Sequence, residues 1–126
     1  EFLHPVEDLP AAISFSLEGQ HWAAKASVVF YWSFLPYRCE WRYGIWAHRV
    51  ALIDAGHVGQ NLYLACAALG LGTCAIAAFD LKICDSLFGL DGEEEFIVYT
   101  SPVGTISPAD QKSEKAFYQF VEDEGL

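Results

Sequence analysis

The sequence predicts a small mixed domain of helices and strands built around one long helix. Three observations carry that expectation. Of its 126 residues 53% are hydrophobic and 15% aromatic, the composition of a chain that builds a core. From about Tyr43 to Leu69, apolar residues recur near a 3.6 period. Three runs rich in strand formers lie between turn signals. The elements follow the order α-β-α-β-α-β-α, an alternation that connectivity alone allows in an α/β protein. Yet three short strands around one very long helix make a poor closed domain. The first part of a larger unit is therefore expected elsewhere.

Asp8-Leu9-Pro10 offers an N-cap with Pro in the first turn, and Gly19 closes a short helix over about 9–18. Val28-Val29-Phe30-Tyr31-Trp32 reads as a strand covered on both faces. Leu35 to Trp41, broken by Pro36, reads as loop. The long helix then carries Ile45, Val50, Ile53, Val58, Leu62 and Cys66 on an apolar face broadened by Leu52, Leu64 and Leu69, and is expected to be the most buried element. Gly44, Gly56 and Gly59 each cost about 1 kcal/mol against Ala inside a helix, which suggests close backbone packing against another helix or a ligand; Gly56 and Gly59 are expected to face another helix across a subunit boundary.

Gly70 stops this helix, and Thr73 to Ala77 reads as a short strand. Asp80 caps a helix to about Phe88, closed by Gly89, and Asp91-Gly92 makes a turn. Phe96 to Tyr99 forms a strand that ends before Pro102. Ser107-Pro108 opens a last helix with a narrow apolar stripe and an acidic end, Glu122-Asp123-Glu124. The expected division is therefore 1–106 as the main domain portion and 107–126 as an acidic C-terminal helix or tail.

A net charge of −10, from 17 acidic and 7 basic residues, leaves no Lys/Arg stripe for nucleic acid. Ala55 to Phe79 has no charge, but His57, Gln60, Asn61 and the pair Gly70/Gly72 interrupt it, so no membrane span is expected. The four cysteines form no CxxC pair and suit small buried hydrophobes in a reducing, cytoplasmic setting. The acidic, Pro-punctuated opening from Glu1 to Pro10 does not read as a leader.

Leu69-Gly70-Leu71-Gly72-Thr73 lacks the Gly pattern and the Lys of a phosphate loop, and by itself is a helix stop. The next stretch, Thr73-Cys74-Ala75-Ile76-Ala77-Ala78-Phe79-Asp80, contains a strand ending in two small residues that let a planar ligand approach the backbone. Trp41-Arg42-Tyr43-Gly44, Arg49 to Leu62 and Ala67 to Cys74 come in order, succeeded by Ala78-Phe79-Asp80, Leu87 to Glu93 and Pro102-Val103-Gly104. Together these blocks, over about residues 10–105, resemble the nitroreductase superfamily. Within it they resemble the SagB-type dehydrogenases, which include thiazoline/oxazoline dehydrogenases of peptide natural-product pathways.

The resemblance implies an FMN-dependent oxidoreductase with an α+β fold, and a homodimer with flavin at the subunit interface. It covers only the family's C-terminal half. The N-terminal half normally supplies an Arg/Ser cluster for the FMN phosphate, so the partner is either a second copy or a complementary N-terminal half. Gly72 and the segment Ala75, Ile76, Ala77 and Ala78 fall where the family lays its backbone along the flavin ring, with the N–H of Ala77 or Ala78 near N5. Many relatives carry Glu-Gly at those last two positions; Ala-Ala leaves only the main chain to act. Thr105 stands where a basic residue often comes after the Gly matching Gly104.

Arg42-Tyr43 falls where azoline dehydrogenases carry a Lys-Tyr pair that abstracts a proton. Tyr can exchange a proton, whereas a guanidinium stays charged and can only steady an anion. Without the resemblance, Arg42 reads equally as a solvated or carboxylate-paired cation, and Tyr43 as a packed aromatic. Asp54 and His57 lie three apart on the long helix and suit packing or a dimer contact; Asn61 could reach flavin or cap a neighbouring backbone. Glu93-Glu94-Glu95 reads as a solvated turn, with no metal expected. Two functions are consistent with these residues: an FMN oxidoreductase acting on a small molecule or peptide, or a non-catalytic half-domain that does not hold flavin by itself.

Overall fold

The computed structural model describes residues 4–125, so the first three residues of the acidic opening and the last residue of the tail lie outside it. Helix α1 (Leu9–Ser16) starts where the Asp8 carboxylate accepts from the Ala11 N–H, with Pro10 in the first turn. It stops two residues earlier than its pattern suggests, because Glu18 and Gly19 reverse the chain with positive φ. Strand β1 (Val28–Phe34) comes next, then helix α2 (Tyr37–Tyr43). The stretch that reads as loop is thus helical: Pro36 sits at its N-terminal edge, where a missing N–H costs nothing.

Gly44, at φ 52, ends α2, and a short 3-10 turn leads into helix α3 (Ala47–Leu69), which Gly70 closes in the left-handed conformation. Strand β2 spans Leu71–Thr73, and helix α4 (Leu81–Phe88) is capped by Asp80 and closed by Gly89, as its sequence predicts. Strand β3 is Phe96–Thr105 and helix α5 is Pro108–Glu124, capped by Ser107.

The sheet is antiparallel with order β1-β3-β2. Two strand expectations change. β3 runs through Pro102 to Thr105, because the Pro102 carbonyl faces the Thr73 hydroxyl at the point where β2 ends, so no ladder N–H is lacking there. β2 starts two residues before the expected strand and stops at Thr73, and Ile76 rejoins β3 only by an isolated bridge to Thr100. β1 pairs with β3 alone and leaves Val28 and Phe30 exposed, so it is an edge strand and not one covered on both faces.

The core lies where α1, α4 and the sheet meet. Leu17, Ala23 and Ile76 are buried against Ile13, Val29, Tyr31 and Phe79. Polar groups there are satisfied: the buried Asp85 carboxylate accepts from the Ile97 N–H at 2.7 Å, and Ser16 meets the Tyr31 hydroxyl at 2.8 Å. Cys84 is enclosed beside Ser16, and burial pushes its thiol up to about 11. Cys66 is buried too, whereas Cys74 is exposed, contrary to expectation, because the chain has left β2 there; all four thiols are free.

The long helix is not the most buried element. Only Ala47, Ala51, Gly59 and Cys66 are buried on α3, while Leu52 is 61%, Leu64 61% and Leu69 73% exposed. α3 rests on β2, β3 and α2 along one narrow side, too little to cover a broad apolar face. Within the chain Gly59 lies against the Tyr99 ring of β3 and not against a helix, and Gly56 has open space before it. Among the described residues no helix is long and apolar enough to cross a membrane.

Candidate functional site: the Ala75–Ala78 segment

Between β2 and α4 the chain runs on beside β3 without regular pairing, held at three points. The Ala75 N–H donates to the Tyr63 hydroxyl of α3 at 2.8 Å. Ile76 exchanges both main-chain hydrogen bonds with Thr100, at 2.9 and 3.1 Å. The Gln20 side-chain amide donates to the Ala78 carbonyl at 2.9 Å. Ile76 is buried, and Ala77 and Ala78 are exposed. Among the described residues the N–H groups of Ala77 and Ala78 have no hydrogen-bond partner. Three successive main-chain donors, at Ala77, Ala78 and Phe79, are therefore unpaired among the described residues, and the first two carry only methyl side chains.

Around the entry to this segment, Tyr63, Tyr99 and Cys74 approach one another; burial raises the Tyr99 phenol above its usual range, with Tyr63 and Cys74 adding to the effect. Gly72 lies in β2 opposite Gly104, where a Cβ would come within 2.9 Å of Ile106 Cγ1. Its lack of a side chain serves that packing. It also borders a cavity of about 560 Å³ whose lining includes Trp22, Lys25, Thr73 and Asp110. The charged lining residues are Lys25 and Asp110, one of each sign, so among the described residues the cavity holds no cluster of cations such as a phosphate dianion needs.

Arg42 and Tyr43 end α2, both exposed, with the guanidinium carbon 5.4 Å from the Tyr43 ring centroid. They are not brought to Ala75–Ala78. α3 rises about 24 Å between Ala47, just beyond them, and Tyr63, at 1.5 Å per residue. His57 bonds its own helix at the Ile53 carbonyl, 2.8 Å away, and not Asp54. Asn61 is exposed, and its side chain makes no hydrogen bond among the described residues. Glu93 to Glu95 form a turn whose N–H groups all converge on the Asp91 carboxylate, holding that carboxyl below its usual range. Among the described residues no group of His, Cys, Asp and Glu could hold a metal ion.

Sequence reading does not find Tyr63 and Gln20 as site residues. Neither is marked by a motif of its own, and their roles depend on contacts 12 and 58 residues away.

Comparison with known proteins adds the relatives. The family model of the nitroreductase family matches residues 2–105. Among solved structures, a protein described as a nitroreductase of Anabaena variabilis is similar at a TM-score of 0.71 and 26% identity, over 80% of this chain and 20% of its own. A nitroreductase family protein of Clostridium novyi superposes at a TM-score of 0.65 and 20% identity, over 80% of this chain and 57% of its own. A third, described as a nitroreductase of Ralstonia eutropha, gives 0.57 and 19%, over 63% of this chain and 37% of its own. The chain thus spans 20 to 57% of the length of these relatives. No curated protein matches.

Proposed function

The chain belongs to the nitroreductase family, and from that premise we propose that it is the ring-facing half of an FMN-dependent oxidoreductase of the SagB-type dehydrogenase kind. The observation that carries the reading is the pinned segment with two free N–H groups at Ala77 and Ala78. When bound, FMN would supply a two-electron acceptor and donor whose N5 takes up or gives a hydride. Ala77 and Ala78 offer main-chain hydrogen bonds to that ring edge. The task survives the absence of a Glu side chain because the backbone performs it. Gln20, Tyr63 and Thr100 hold the donors in place, so no reorganisation is needed as charge moves.

The ring fits these residues; the phosphate does not. With a net charge of −10, and with Lys25 and Asp110 as the charged residues lining the cavity beside Gly72, this chain calls for cations from outside itself. A complementary N-terminal half supplies them in this reading, and the apolar face of α3 is where that half or a second copy seats. Across that boundary Tyr43 exchanges a substrate proton and Arg42 steadies the developing anion. The substrate is a small molecule or a peptide carrying an azoline ring. Residues 107–126 stay outside the flavin unit, and four free thiols suit a reducing cytoplasm.

The missing phosphate cluster favours a second reading, a half-domain that docks without holding flavin. Titration with FMN separates the two. This chain alone is expected to bind FMN weakly, and the complete assembly to turn yellow and hold it tightly. Sub-micromolar affinity for the chain alone overturns the half-site argument, and a complete assembly that stays colourless leaves the second reading.

A further inference from the structure

We infer that Tyr63 is the positioning residue of the flavin-facing segment: by accepting the Ala75 N–H, its hydroxyl aims the Ala77 and Ala78 N–H groups outward as the free pair. The inference rests on the reading of Ala75–Ala78 as the stretch along the ring. Its own footing is geometric. Tyr63 sits one turn beyond Gly59 on the same face of α3. Gly59 lies against the Tyr99 ring, so that contact sets the height of Tyr63 over the sheet. The Tyr63 oxygen is 2.8 Å from the Ala75 nitrogen, immediately before the Ile76–Thr100 bridge.

The N–H groups of Ala75 and Ile76 would otherwise compete with the free pair for one ligand edge. Ile76 is spent on Thr100 and Tyr63 removes Ala75, which leaves Ala77 and Ala78 within the segment; the next N–H, of Phe79, also has no partner among the described residues. Accepting also uses the phenol in one direction only. Its own proton has no acceptor among the described residues, so it is available to a ring acceptor beside the segment.

Tyr63→Phe keeps the ring and removes the oxygen. In the full 126-residue chain, amide exchange at Ala75 is expected to quicken about tenfold while Ile76 and Thr100 keep their protection. FMN is then titrated to millimolar concentration, oxidised and, anaerobically, reduced, while the Ala77 and Ala78 amide resonances are monitored. The variant is expected to bind oxidised FMN about tenfold more weakly and to change the ratio of the two affinities. That ratio is the measure general loosening leaves alone. Unchanged exchange at Ala75 overturns the inference, as do affinities that equal the wild type or fall by one common factor. Wild-type chain with no shift at Ala77 and Ala78 overturns the ring-facing reading and the inference with it. The exchange result at Ala75 tells the two failures apart.

Discussion

The sheet side of the molecule and its helical flank are built to different degrees. Where α1, α4 and β3 meet, Leu17, Ile97, Thr100 and Cys84 are enclosed, and the polar groups among them have partners. On α2 and α3 and the turn between them, Tyr37, Trp41, Ile45, Leu52 and Leu64 stand in the open. Both regions are rich in apolar residues, so composition does not separate them. What separates them is closure: the sheet side encloses a core within the chain, although its edge strand leaves Val28 and Phe30 exposed, and the flank encloses little. The Ala75–Ala78 segment belongs to the first region, Arg42 and Tyr43 to the second. The two parts of the proposed site therefore differ in what must be added before they can act.

Tyr43→Phe in the complete enzyme is the largest expected break. On the proposed azoline-dehydrogenase reading, removing the hydroxyl is expected to lower oxidation of a thiazoline-containing peptide by about 10²–10⁴, the usual loss of acid/base help, with FMN binding unchanged. Steady-state turnover beside an FMN titration checks it. Equal turnover would make Tyr43 a packing residue of the flank, and the comparison would then sharpen to one working region and one purely structural one.

Next comes Ile97→Ala, in the closed region. Ile97 is 1% exposed, and its N–H is held by the buried Asp85 carboxylate. Truncation is expected to cost about 2–5 kcal/mol, read from urea unfolding. A loss near zero would mean that the sheet side is as open as the flank.

These regions also differ in how legible they are in the sequence. Turn chemistry is plain: Asp8, Asp80 and Ser107 cap, and Gly70 and Gly89 stop, because capping is local. The Ala75–Ala78 segment is proposed from its resemblance and its small residues, and its irregular course past Thr73 is not legible, because its apolar run reads as strand to Ala77. The burial of α3 is not, because periodicity shows only that a face is apolar, not which chain covers it. Tyr63 is invisible because a side chain meeting a main chain 12 residues on leaves no pattern.

Two glycines on one helix test the boundary between the regions with opposite signs. A Cβ at Gly59 would lie 2.9 Å from Tyr99 Cε1, while one at Gly56 meets nothing within 4 Å. Gly59→Ala is expected to destabilise by about 1 kcal/mol, crowding outweighing the helix gain. Gly56→Ala is expected to stabilise by up to about 1 kcal/mol. Thermal melts of the two variants decide it; equal signs would place the edge of the closed region elsewhere on α3.

The smallest effect belongs to Leu52→Gln, and its smallness is informative. Leu52 is 61% exposed on the open face of α3, so the folded chain gains little from it that Gln would not also supply. Leu and Gln have similar helix propensity, so the change leaves the backbone term alone. In the chain by itself, stability is expected to move by no more than about 0.5 kcal/mol. In the assembly that covers α3, the same change places an amide on the buried face and is expected to weaken association, measured by sedimentation at falling concentration. A cost above about 2 kcal/mol in the single chain, well outside the usual surface range, would mean that α3 is already covered there, and the contrast between the two regions would not hold.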